Sequence, residues 1–131
     1  TVCINQENTD TFCNGQERSM IMSKISTKEL DHQMEELRGM LTPADLWGQL
    51  AEEASELAQA ALKMQRLELG NNPPRKTPQE CINNVIEEHS DVDFCFKLLR
   101  WDDNKEMEVV QKAKAGRWMS TLKGVKADHD K

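Results

Sequence analysis

Eight residues, Gly70–Thr77 (GNNPPRKT), interrupt the longest helical pattern in the chain and dictate how the rest can fold. Pro73 and Pro74 remove two amide donors in succession, and a helix cannot run through them. Gly70 is the residue a helix end favours, and Thr77-Pro78-Gln79-Glu80 restarts one with a capping box. Upstream, Thr42-Pro43 supplies a cap and a first-turn proline. Leu46, Leu50, Leu57, Ala60, Ala61 and Met64 then recur at helical spacing. Downstream, Cys81, Val85, Val92, Cys95, Phe96 and Leu99 do the same as far as about Trp101. Two long one-sided helices joined by a short turn bury their stripes against each other, so an antiparallel hairpin is expected.

Two further helices flank it. Ser26 and Glu29 form a capping box ahead of Leu30, Met34, Leu37 and Leu41. After Asp102-Asp103-Asn104, Met107, Val110, Ala113 and Trp118 predict a fourth helix that ends near Gly124. The pattern shows no strand and no repeat. The expected fold is all-α: an antiparallel four-helix bundle over residues 26–124, preceded by a polar arm (1–25) and followed by a polar tail (125–131). The arm is expected to be disordered, or ordered only against a partner.

Composition narrows the function classes. With 131 residues and 37% hydrophobic content, one domain and one core are expected. The 23 acidic residues against 17 basic ones oppose binding to nucleic acid or an anionic membrane. No apolar run approaches the roughly 20 residues that span a bilayer. Cys81 and Cys95 fall on one predicted helix about 21 Å apart, too far to bridge, while Cys3 and Cys13 lie in the arm. No Cys-x-x-Cys spacing occurs, so a reduced, cytoplasmic setting is expected.

The acidic residues are not spread evenly over these helices. Wound at about 100° per residue from Leu46, Glu53 falls near 340°, inside the apolar stripe, and Glu56 near 280°, on its edge. From Cys81, Glu88 and Asp91 take the same two places on helix three, about 340° and 280°. In an antiparallel hairpin the first pair stands roughly 20 to 24 Å from the turn and the second roughly 15 to 20 Å, nearly one level. An acidic run such as AEEASE is on most helices a solvated face. Two runs matched in angle and height argue for a shared site instead.

Four such carboxylates repel one another, by a few tenths of a kcal/mol per pair on an exposed helix and by more when partly desolvated. Lys63, the nearest cation on that edge, is two turns beyond Glu56. A divalent cation answers the charge better. An all-carboxylate set without histidine or cysteine favours magnesium, or manganese, over zinc.

The residues at this site resemble a known family. Glu52-Glu53-Ala54-Ser55-Glu56 is similar to the E-E-x-x-E motif, and Glu88-His89-Ser90-Asp91 to the E-x-x-D motif, of the all-α nucleoside triphosphate pyrophosphohydrolases. These are the MazG-like proteins with the dimeric all-α dUTPases and phosphoribosyl-ATP pyrophosphatases. The likeness spans roughly residues 27–120, including the apolar flanks in LAEEASELAQAALK and IEEHSDVDFCFKLL. It departs from the pattern in the long interval between the motifs, where GNNPPRKT is an insertion.

The resemblance implies magnesium-dependent hydrolysis of a nucleoside triphosphate, or a deoxynucleotide, to the monophosphate and pyrophosphate. Glu53, Glu56, Glu88 and Asp91 are then the metal ligands, and Glu52 or Glu53 accepts a proton from water. Lys63, Lys112, Lys114 and Arg117 are candidate phosphate contacts, although a basic face near a helix end has the same look. Trp47, one and a half turns before the first motif, is the favoured aromatic for the base, ahead of Phe94, Trp101 and Trp118; His89 lies off the acidic edge. A homodimer or homotetramer would bury the remaining apolar faces and, as in family members, complete the substrate pocket.

Within the enzyme class, a dUTPase-like preference stays open. A phosphoribosyl-ATP pyrophosphatase is disfavoured by Gln49, where that branch favours a basic residue. A di-iron bundle needs Glu-x-x-His on two helices, and only Glu29-Leu30-Asp31-His32 offers it. The rival from another class is a non-catalytic helical interaction module.

Overall fold

A computed structural model describes residues 27–130. The polar arm expected over 1–25, with Cys3 and Cys13, lies outside the described residues, as does Ser26 of the first predicted capping box. All regular structure among the described residues is helical: α1 (Thr27–Met40), α2 (Pro43–Leu69), α3 (Pro78–Leu98) and α4 (Glu106–His129). The chain divides into two units, with α1 in the first, which ends at Thr42, and α2, α3 and α4 in the second, from Pro43 onward.

In the first unit α1 buries Met34, half-buries Leu37 and leaves Leu30 exposed. Arg38 Nη1 meets Glu35 Oε1 at 2.6 Å one turn back, and His32 Nε2 lies 3.3 Å from Glu36 Oε1.

In the second unit α2 and α3 form the expected hairpin and pack together, the only pair of helices that does so among the described residues of this unit. Gly70 ends α2 with φ of +68°, and its amide donates to the carbonyls of Arg66 and Leu67. The left-handed conformation that closes this turn is one glycine adopts without a Cβ clash. Thr77 starts α3 as its pattern predicts. The Thr77 Oγ1 accepts from the Glu80 amide at 3.2 Å, and the Glu80 carboxylate accepts from the Thr77 amide at 2.7 Å. Thr77→Ala removes one of these bonds and is expected to lower stability by about 1 kcal/mol, read as a lower urea midpoint with unchanged slope.

Leu46 and Ala60 of α2 and Cys81, Cys95 and Leu98 of α3 are the buried residues of the hairpin. Ala60 and Cys81, both 1% exposed, are small enough for close packing of the two helices. Cys81 and Cys95 are free thiols. The packed seam is shifted slightly from the predicted one: Val85, Val92, Phe96 and Leu99 are half-buried, and Leu98 takes the buried place.

The C-terminal ends of the last two helices differ from expectation. Helix α3 stops at Leu98 instead of near Trp101, because Arg100 turns left-handed at φ +60° and its neighbour's amide closes back on Phe96. Helix α4 continues past Gly124 to His129. A glycine ends a helix only where it takes positive φ, as Gly70 does and Gly124 does not.

Every residue of α4 is exposed, including Met107, Val110 and Trp118 of its expected inner stripe. It packs on neither α2 nor α3. Within the second unit the expected packing is seen in the α2–α3 hairpin, with α4 unpacked against it. Among the described residues no helix is long and apolar enough to cross a membrane.

Candidate metal centre

Hairpin packing brings the two acidic edges together. Glu53 and Glu56 of α2 and Glu88 of α3 each place a carboxylate oxygen within 4.8 Å of the other two. Glu53 and Glu88 are half-buried and Glu56 is exposed, so the cluster opens to solvent along one side.

Each helix also supplies an amide four residues before its inward acid. Gln49 Nε2 donates to Glu53 Oε1 at 2.5 Å, and Asn84 Nδ2 donates to Glu88 Oε1 at 2.9 Å. Residues four apart stack on one face of a helix, so these contacts fix the two acids in place. The second oxygen of Glu88 is buried with no hydrogen-bond partner. A buried acceptor without a donor is costly, and a neighbouring carboxylate supplies no donor unless it holds a proton.

The proton affinities follow from this crowding. Burial raises the pKa of Glu88 to about 7, reinforced by the Glu56 charge, by the hydrogen bond to Glu56 that forms once one of the two carboxyls holds a proton, by Asp91 and by Glu87. Burial likewise raises Glu53; its bond from Gln49 opposes the shift, while Asp91, Glu56 and Glu52 add to it. Asp91 is raised by burial and then by Glu87 and Glu56. Asp91 thus acts on the cluster electrostatically, one turn from Glu88, although it is not one of the three mutually close carboxylates. The donor set is all oxygen and crowded, a set that could hold a hard divalent ion.

Other expected residues fall elsewhere. Glu52 is exposed beside Glu53. Lys63 is half-buried on α2. On α4, Lys112 pairs with Glu108 at 2.9 Å, the Lys114 ammonium sits 5.4 Å from the centre of the Trp118 ring, and Arg117 is exposed. The chain's own packing does not bring these three cations to the acids. Trp47 is half-exposed and meets Trp101 edge to face, and His89 is exposed.

Three neighbours escaped the sequence reading. Gln49 and Asn84 were visible as an amide four residues ahead of an inward acid on both helices, a repeat that periodicity in apolar residues does not register. Cys95, buried on α3, has its thiol pKa raised by desolvation and then by the charges of Glu53 and Asp91. Compared with protein-family models, with curated proteins and with solved structures, the chain matches none of them.

Proposed function

We propose that the chain is a magnesium-dependent nucleoside triphosphate pyrophosphohydrolase of the MazG-like kind, acting as a homodimer or homotetramer. The observation that carries this reading is the convergence of Glu53, Glu56 and Glu88 within 4.8 Å, with one oxygen of Glu88 buried and unpartnered. The motif resemblance supplies the reaction class, and the carboxylate chemistry is compatible with it.

Glu53, Glu56, Glu88 and Asp91 would hold the ion, with manganese as a substitute. When bound, such an ion neutralises phosphate oxygens and makes water more acidic. Gln49 and Asn84 orient two of the ligands. Water forms a new bond to phosphorus, the bridge between the α and β phosphates breaks, and pyrophosphate leaves. Glu52 or Glu53 takes the water's proton; the raised proton affinity of Glu53 suits it to that role. Lys63 serves the phosphates from the same helix. Lys112, Lys114 and Arg117 would do so from a neighbouring copy, since α4 is unpacked in its own chain.

A second reading has its own support. Helix α4 exposes Met107, Val109, Val110, Trp118, Met119, Leu122 and Val125, and an isolated helix of this kind gains little stability without a partner. That favours an interaction module in which the acids are incidental. A panel of ribo- and deoxynucleoside triphosphates, assayed for pyrophosphate with magnesium, with manganese and with chelator, separates the two. Metal-dependent release of pyrophosphate and monophosphate from at least one substrate is expected. Release from none favours the interaction module.

A further inference from the structure

The open end of the hairpin carries a feature that the acidic cluster does not use. Trp47, near the start of α2, and Trp101, just beyond α3, meet with ring centroids 5.7 Å apart and planes at 73°. Trp47 is 44% and Trp101 51% exposed. An edge-to-face contact uses the edge of one ring and one face of the other, so the remaining faces are free to stack.

The backbone holds Trp101 in this place. Arg100 adopts φ +60°, unusual for a residue with a side chain, and donates its amide to the Lys97 carbonyl at 3.0 Å. The Trp101 amide donates to the Phe96 carbonyl at 2.9 Å, closing the helix end and fixing the direction from which the indole leaves the chain. A shallow cleft of about 360 Å³, open to solvent, lies beside it, lined by Arg100, Trp101, Asp103, Asn104, Lys105 and Glu106. The cleft offers one aromatic wall and a rim of hydrogen-bonding side chains of both charges, which suits a flat heterocycle with polar edges. Trp47 also precedes Glu53 by six residues on one helix, an axial rise of about 9 Å and about 120° round the helix axis.

We infer that Trp101, seated against Trp47, is a base-stacking residue and that the cleft beside it receives the heterocycle of a nucleotide. This rests on the proposed function for the identity of the full substrate, but the binding of the base itself can be tested apart from hydrolysis.

The chain has three tryptophans, so Trp118→Phe leaves only the pair to report by fluorescence. In that background, adenosine, guanosine, cytidine, uridine and thymidine are titrated without metal. Saturable quenching by at least one of them is expected, and Trp101→Leu added to the same background removes it. On the best triphosphate of the panel, Trp101→Leu raises KM roughly 5- to 100-fold with kcat nearly unchanged, as loss of one base–aromatic stack does. Hydrolysis of methyl triphosphate, which has no base, falls by much less than that of the nucleotide. Trp101→Phe, which keeps a smaller ring, gives an intermediate loss and serves if the leucine variant does not fold.

Failure of every nucleoside to quench overturns the inference, as does quenching that survives loss of Trp101. So does equal damage to methyl triphosphate and the nucleotide, which marks a structural role. If no triphosphate at all is hydrolysed, the proposed reaction falls and the quenching result alone decides this site.

Discussion

Glu53→Gln and Asp91→Asn are each expected to lower magnesium-dependent pyrophosphate release by at least about 100-fold while the helical fold survives. Loss of a group that merely supports a metal ligand commonly reduces activity 10- to 100-fold, and loss of a ligand should exceed that. Both replacements keep side-chain shape and remove one negative charge. Glu53 and Asp91 have their pKa values raised, by burial first and by neighbouring acids after it, so each is a source of repulsion in the metal-free protein. Removing that repulsion leaves the fold intact or firmer. The check pairs pyrophosphate assay with circular dichroism and with calorimetric titration of magnesium. Weakened ion binding in a folded variant is the expected pattern. Full activity in either variant would remove the acidic cluster from the reaction and, with it, the proposed mechanism.

How far the chain can be read in advance depends on the kind of physics involved. The Gly70 stop, the Thr77 capping box and the Pro43 start are local events, decided by φ preference and short-range hydrogen bonds, and each stands where its residues place it. The meeting of Glu53, Glu56 and Glu88 was legible because two amphipathic stripes and one turn leave a hairpin little freedom in rotation or register. Helix α4 shows the limit of that logic. Its apolar residues were readable, but periodicity says which face of a helix is apolar and not what covers it, and in the single chain nothing from α2 or α3 does. The Trp47–Trp101 contact was hidden for a different reason. It depends on a left-handed Arg100, a conformation with no glycine or asparagine to announce it.

Metal-free protein is expected to lose stability as pH rises from 5 to 8, the reverse of the usual behaviour of carboxylates paired with cations. Glu88 titrates at the ordinary glutamate value of 4.5 when unfolded and at about 7 when folded. Between those values the folded chain holds a proton that the unfolded chain has released. The stabilising effect is complete below 4.5 and disappears as pH climbs through 7. A separation of this size corresponds to at most roughly 3 kcal/mol, and solvent screening of a half-buried group reduces it to on the order of 2 kcal/mol. Glu53 and Asp91, also raised, act in the same sense. In chelator, the melting temperature should therefore fall by roughly 10 °C from pH 5 to pH 8. On the proposed reading magnesium would bind the deprotonated acids of the folded form only, so it should recover the loss at pH 8 and have little effect at pH 5. Glu88→Gln provides the control, because it takes away both the proton site and a ligand, and should flatten the pH profile and blunt the response to magnesium together. A melting temperature that instead rises towards pH 8 in chelator would mean that the crowding of Glu53, Glu56 and Glu88 is already relieved by other means, and a bound ion would no longer be needed to explain why these side chains share one place.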